Sequence, residues 1–250
     1  MDRLIYTSMT GATGALLKHA AAAQNLANVG TQGYRAHQHQ LRTIDVETHN
    51  LPPALPTRAF AVDASTHTDF TPGPMMQTGR PLDVAVAGKS LIALAMPDGT
   101  EAYTRAGALE IGADGTLQNQ RGVPVQGDGG PISIPTGAGV QIGADGSVAA
   151  VMQDGMQTTV NIVGRIKLVT PELRELERGG DGLFRLPNGV VAPLDENARL
   201  AAGVVEGSNV NAAEEMVEII SLSRLFEMQV KMLQTAEAND RAATQILTPR

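Results

Sequence analysis

The chain contains no cysteine and no tryptophan, and its aromatic residues amount to four phenylalanines and three tyrosines. Without cysteine there are no disulfides, no thiolate metal sites and no Cys nucleophile. So few aromatics leave little with which to stack bases or cage cations, and a formal net charge of -7 repels phosphate backbones. Nucleic acid is therefore not an expected partner. No stretch of about twenty apolar residues is present, so no membrane insertion is expected. The opening MDRLIYTSMTGATGALLKHAAAA also lacks the unbroken apolar core of a secretory signal. A route out of the cytosol would have to run without a cleavable signal. GxSxG, HExxH, P-loop and GxGxxG arrangements are absent as well.

What is present divides the chain into two helical ends and a β-rich middle. At 250 residues with 42% hydrophobic content, the chain can bury a full core and carry an appended element. Small and apolar residues recur at helical spacing from Asp2 to about Asn28, among them Leu4, Tyr6, Met9, Leu16, Leu17 and Leu26. Gly11 and Gly14 each lower helix propensity by about 1 kcal/mol relative to alanine, so packing must supply what propensity lacks. Residues 212 to 247 contain no glycine or proline, and Asn211 followed by Glu214 resembles a capping pair. A helix of that length extends roughly 50 Å at about 1.5 Å per residue. One apolar row on it runs through Met216, Ile219, Phe226, Val230 and Leu233, and a second through Leu222, Leu225, Gln229, Met232 and Ala236. The first has the spacing of a coiled-coil seam; both together exceed what one partner helix covers.

Residues 34 to 80, with Pro52, Pro53, Pro56, Pro72 and Pro74, read as an extended linker or loop region. Residues 81 to 205 carry short alternating runs punctuated by Asp98-Gly99, Asp114-Gly115, Asp145-Gly146 and Asn188-Gly189, which are hairpin-turn dipeptides. The phrases IGADGTL (111–117) and IGADGSV (142–148) read as two hairpins of one β domain. The fold class is thus α+β: a discontinuous helical domain, coiled-coil like, from paired segments 1–33 and 206–250, plus a central all-β domain.

Acidic and histidine clusters admit chemical readings, and each has a simpler one. GGDG (179–182) and GDGG (127–130) suit calcium less than Asp-Gly turns, because no nonapeptide repeat accompanies them. His37 and His39 have no acidic or cysteine partner at ligand spacing and fall in a polar, loop-like stretch. Glu206, Glu214, Glu215 and Glu218 read as solvating and capping the C-terminal helix. No metal, no cofactor and no catalytic residue is expected.

Four ordered blocks resemble the bacterial flagellar rod and hook protein family: NLANVGTQGYRA (25–36), QTGRPLDVAVAG (77–88), YTRAGALEIGADGTLQNQRGVPV (103–125) and VEGSNVNAAEEMVEIISLSRLFEMQVK (205–231). Gln24, Gly30 and the segment GKSLIAL (88–94) depart from the usual pattern. The opening residues and the length point to the proximal rod subtype, with distal rod and hook subunits as alternatives. The resemblance implies a non-catalytic structural subunit that polymerises through its terminal helices in the basal-body rod and transmits torque. Its implied partners are copies of itself, other rod proteins and the flagellar type III export apparatus, and its implied location is the rod crossing the periplasm. Leu4, Leu16, Leu26, Met216, Ile219, Phe226, Val230 and Leu233 are the expected assembly-packing residues, and Asn25, Asn28, Gly30 and Gly33 the expected helix-ending turn. The reading from another class is a secreted β-domain hydrolase with helical dimerisation ends.

Overall fold

A computed structural model of the chain describes residues 2–45, 59–154 and 157–247. It is α+β, with two helices and a β-rich body, and it divides into two compact units. The first comprises residues 1–29, 36–69 and 210–250; the second comprises 30–35 and 70–209.

The first unit holds the helix α1, Asp2–Ala27, the helix α2, Ala212–Leu247, and an antiparallel pair of strands, β1, His37–Asp45, and β2, Ala59–Thr68. Part of the segment read as linker is therefore strand, and His37 and His39 open β1 instead of lying in a loop. Alternation along HQHQLRTID is weak in hydrophobicity, which is why the pattern read as polar chain. At its start α2 is capped by Asn211, whose Oδ1 accepts from the Ala213 N–H at 3.1 Å. Glu214 and Glu215 follow in the first turn, where carboxylates suit the positive end of the helix dipole.

The helices run antiparallel: Asn25 meets Glu215 near one end, and Gly11 meets Gln229 further along. A Cβ on Gly11 would lie 3.0 Å from the Gln229 side chain, so this glycine makes room for the glutamine amide. The least exposed row of α2 is Ile219, Leu222, Phe226, Gln229, Leu233 and Ala236, stepping by three and four. It takes alternate members from the two rows read in the sequence. On α1 the corresponding row is Ser8, Ala12, Ala15, His19, Ala22 and Leu26. Most of this row is small, while Tyr6, Met9, Leu16 and Leu17 are left exposed. Hydrophobicity ranks leucine above alanine, but where α1 meets α2 closely, as at Gly11 and Gln229, the space left suits a small side chain.

The second unit is the β body. Its largest sheet has five strands in the order β14-β5-β6-β16-β15, in which β5 is Leu91–Ala95, β6 Glu101–Thr104, β14 Leu168–Val169, β15 Glu177–Arg178 and β16 Phe184–Arg185. A three-stranded sheet joins β11, Gly139–Ile142, to β12, Ser147–Asp154, and β12 to β13, Gln157–Arg165. Smaller antiparallel pairs link β3, Met75–Gln77, to β18, Val204–Glu206; β4, Val84–Val86, to β17, Leu200–Ala202; β7, Leu109–Ile111, to β8, Leu117–Asn119; and β9, Gln126–Gly127, to β10, Gly130–Pro131. The core beneath them includes Val84, Ile92, Leu94, Leu109, Leu117 and Ile166, all buried.

The two IGADG phrases close the β7–β8 and β11–β12 hairpins with one geometry. In each the first glycine N–H donates to the carbonyl four residues on, Thr116 or Ser147, at 2.8 Å. Gly115 and Gly146 take φ of +80° and +87°, angles that disfavour a side chain. Asp114 and Asp145 each accept from the backbone N–H two residues on at 3.1 Å and also from that residue's hydroxyl. Those hydroxyl bonds hold both carboxyls below the usual aspartate range. GGDG is a turn of similar design, with Asp181 accepting from the Leu183 N–H at 3.1 Å and from the Arg185 guanidinium. Among the described residues no group of three or more His, Asp or Glu side chains could hold a metal ion.

Candidate functional site

The segment NLANVGTQGYRA belongs in part to each unit, and its residues do different work. Asn25 is buried on α1. Its Oδ1 accepts from the His37 backbone N–H at 2.7 Å, and its Nδ2 donates to the His37 carbonyl at 2.9 Å. The amide thus acts as a one-residue strand added to the start of β1, and it donates as well to Glu215 Oε1 of α2 at 2.9 Å. One side chain ties α1, β1 and α2 together, which is more than the turn role read for it. Around it lies a cleft of about 250 Å³ that Lys18, His37, His39, Glu215 and Glu218 help to line. Burial pushes the Glu215 carboxyl up from its ordinary value, against the Asn25 hydrogen bond, and the neighbouring Glu218 and Glu214 raise it further.

Helix α1 ends without a left-handed residue. The Asn28 N–H donates to the Asn25 carbonyl at 3.0 Å, and Asn28 Nδ2 returns to the Gln24 carbonyl at 2.8 Å. Gly30 has open space where a Cβ would stand and no positive φ. Gly33 does require glycine: its φ is +66°, and a Cβ would come within 2.4 Å of the Ala106 nitrogen. This close approach lets the Gly33 N–H donate to the Glu206 carbonyl at 2.8 Å.

Glu206 is the centre of the second unit's part of the segment. Although wholly buried, it meets two arginines: Arg35 Nη2 lies 2.8 Å from Oε1, and Arg105 Nη2 and Nε lie 2.7 and 2.8 Å from Oε2. The Gly73 N–H donates to Oε1 at 2.9 Å, and the arginines give further donors to the Ser90 and Thr71 carbonyls. Arg178 completes the surround, stacking 4.3 Å from the centre of the Tyr34 ring while donating to the Arg35 carbonyl at 2.9 Å. The solvated, helix-capping role read for Glu206 is therefore corrected. A lone glutamate between valine and glycine, with single arginines in GYRA and YTRAG, was the available signal. Spacing along the sequence does not reveal that the three meet.

The expected assembly residues fall into three groups. Leu16 and Met216 are each 52% exposed. Leu26, Ile219, Phe226, Val230 and Leu233 are half-buried. Leu4 lies on α1, but its side chain is outside the described residues. Beside Leu16 on the outward side of α1 stand Tyr6, Met9 and Leu17, and α2 exposes Val217, Ile220, Leu225, Met228 and Met232. Between Leu4 and Ala27 the sole charged residues besides histidine reduce to Lys18, which lies on the cleft side. The outward face of α1 is thus apolar and uncharged, the character of an interaction surface.

The family model described as Flagellar hook protein FlgE/F/G D1 domain matches residues 85–150, and the one described as Flagellar basal body rod FlgEFG protein C-terminal matches residues 201–246. The flagellar basal-body rod protein FlgF of Escherichia coli K12 is 41% identical over 99% of both chains, and that of Salmonella typhimurium LT2 is 40% identical over the same shares. The chain belongs to the flagellar hook and basal-body rod protein family. A FlgG rod protein of Buchnera aphidicola is 27% identical over 93% of this chain and 95% of its own. This rod protein is accordingly more similar to those FlgF proteins than to that FlgG, and it is a structural protein of the flagellar basal body. The hydrolase reading has no support among its relatives. No described helix is long and apolar enough to cross a membrane.

Two substitutions test the nodes of this site. Replacing Glu206 by Gln strands two buried guanidinium groups and is expected to cost about 3–5 kcal/mol, read by denaturant unfolding. The triple replacement of Arg35, Arg105 and Glu206 by Met should cost less than that single change; a Glu206→Gln loss below about 1 kcal/mol would contradict the assignment. Glu215→Gln keeps an acceptor for Asn25 and removes the charge that burial opposes. A carboxyl raised in the folded state destabilises while ionised, and that cost disappears as pH falls through its folded value towards its ordinary one. Glu215→Gln should therefore raise the melting temperature at pH 7 and flatten its rise on acidification. A lower melting temperature with the pH dependence intact would contradict this.

Proposed function

We propose that this chain is a non-catalytic subunit that polymerises in the flagellar rod through α1 and α2 and transmits torque along it. In this reading the two helices pair as a coiled-coil-like element. Segments 1–33 and 206–250 form the axial core of the assembly, residues 34–80 connect, and residues 81–205 form its outer part. The proximal rod is its place, its neighbours are copies of itself and other rod proteins, and it reaches the periplasm through the flagellar type III export apparatus without a cleavable signal. Contacts of this kind are heterologous and do not close, so they extend a filament.

The observation that carries the proposal is the outward face of α1, where Tyr6, Met9, Leu16 and Leu17 stand exposed while Ala12, Ala15 and Ala22 are buried. A helix whose larger apolar residues point away from its own neighbours is suited to further helices. Tight packing of many such faces also supplies torsional stiffness. Leu16, Met216, and the half-buried Leu26, Ile219, Phe226, Val230 and Leu233 are the packing residues of this proposal, with Leu4 as the remaining member.

Leu16→Asp separates assembly from folding. The residue is half exposed, so the purified chain should change in stability by no more than about 0.5 kcal/mol, whereas rod assembly and swimming should fail. Motility equal to that of the unsubstituted chain would contradict the proposal.

A further inference from the structure

Strand β13 is the outer strand of the β11-β12-β13 sheet; at its base the Asp128 N–H donates to the Arg165 carbonyl at 3.2 Å, and among the described residues no strand bonds to its outer edge beyond that point. Proteins usually protect such an edge with lysine, proline, a bulge or a short strand. Residues 157–164, QTTVNIVG, carry no charge and no proline. The one irregularity in the β12–β13 register lies at the base, between Val148 and Ala149. Thr158, Val160 and Ile162 share one face of the strand, and Val160 and Ile162 are 57% and 75% exposed. The uncharged, β-branched stretch 157–164 is a template for another strand, through main-chain bonds and apolar contact.

Among the described residues the sheet also narrows towards the hairpin's far end. Strand β11 pairs Gly139–Ile142 with Val148–Val151, so beyond Val151 the strands β12 and β13 continue as a two-stranded ribbon. Such a ribbon is marginal alone in water. At the opposite side of the same sheet the outer edge of β11 is open too, among the described residues, and GVQI is likewise uncharged. Both β11 and β13 are antiparallel to β12, so they run in the same direction.

We propose that β13 of one copy adds to the free edge of β11 in a second copy, joining neighbours head to tail by a continuous sheet. The inference rests on the rod reading above and names a contact in the β body that the helical packing does not include. A β13-to-β13 contact is isologous and closes a dimer, whereas β13-to-β11 is heterologous and repeats without closing, as an axial polymer requires. Copies related along the axis present these two edges in parallel orientation.

Because the chain has no native cysteine, every thiol that reacts is an introduced one. Gln141 and Ile162 both stand opposite Ala149 in the sheet and so share one face. Two full-length chains, one carrying Gln141→Cys and the other Ile162→Cys, are co-expressed in flagellated cells, so that no chain holds both thiols, and isolated basal bodies are treated with a short bis-maleimide. Dimers of the two variants are expected from these cells and a complete loss of them from cells that express either variant alone. Thr158→Cys, on the same face as Ile162, replaces Ile162→Cys if that variant does not incorporate. A chain that incorporates yet stays uncrosslinked, dimers from Ile162→Cys alone, or an adduct with a different protein overturns the β13–β11 contact. Absence of the unsubstituted chain from basal bodies would instead overturn the rod reading on which it rests.

Discussion

A fully buried carboxylate between two buried guanidiniums is the constraint on which the β body depends. Glu206 stands on β18, Arg105 follows β6, and Arg35 lies just beyond Gly33. Three pieces of chain distant in sequence are held by bonds that all end on one side chain. Desolvating these groups is costly, and the cost is reduced because each arginine gives a further donor, Arg105 to the Ser90 carbonyl and Arg35 to the Thr71 carbonyl, with the Gly73 N–H on the carboxylate. The arrangement also explains Gly33, since the Gly33 N–H reaches the Glu206 carbonyl from a position where any side chain would strike Ala106.

The helical unit obeys a different rule, one of size. On α1 the inward row is mostly serine and alanine, with His19 and Leu26 and a glycine that admits Gln229, and the outward face carries tyrosine, methionine and leucine. A monomer optimised for its own stability places the larger apolar groups inside. The opposite arrangement is understandable if stability of the isolated chain is secondary to packing in an assembly. Asn25 serves the same unit by using one amide to bond both β1 and α2, so the end of α1 is fixed by hydrogen bonds where apolar packing is thin.

The parts of this architecture that were legible in the sequence are those set by local rules. The span of α2 followed from the absence of glycine and proline and from Asn211 at its start. The hairpins followed from Asp-Gly pairs, and both IGADG phrases close turns of one geometry. What was not legible depends on contacts between distant residues. Nothing local in VEG distinguishes a solvated Glu206 from one enclosed by Arg35 and Arg105. Apolar periodicity identified two rows on α2 but not that Ile219 and Leu222 would share one seam. Nor does periodicity say how close a neighbouring backbone comes, so it does not reveal that Ala15 is buried beside an exposed Leu16. The strands β1 and β2 escaped notice because their residues are mostly polar.

The central claim is that the outward apolar face of α1 is covered by neighbouring subunits in the rod. Electron cryomicroscopy of intact basal bodies, at a resolution that traces side chains, measures this directly. The account predicts density for this chain along the drive axis, with Tyr6, Met9, Leu16 and Leu17 packed against helices of adjacent subunits. Density in which that face of α1 lies open to water, or a rod in which this chain has no place, would contradict it.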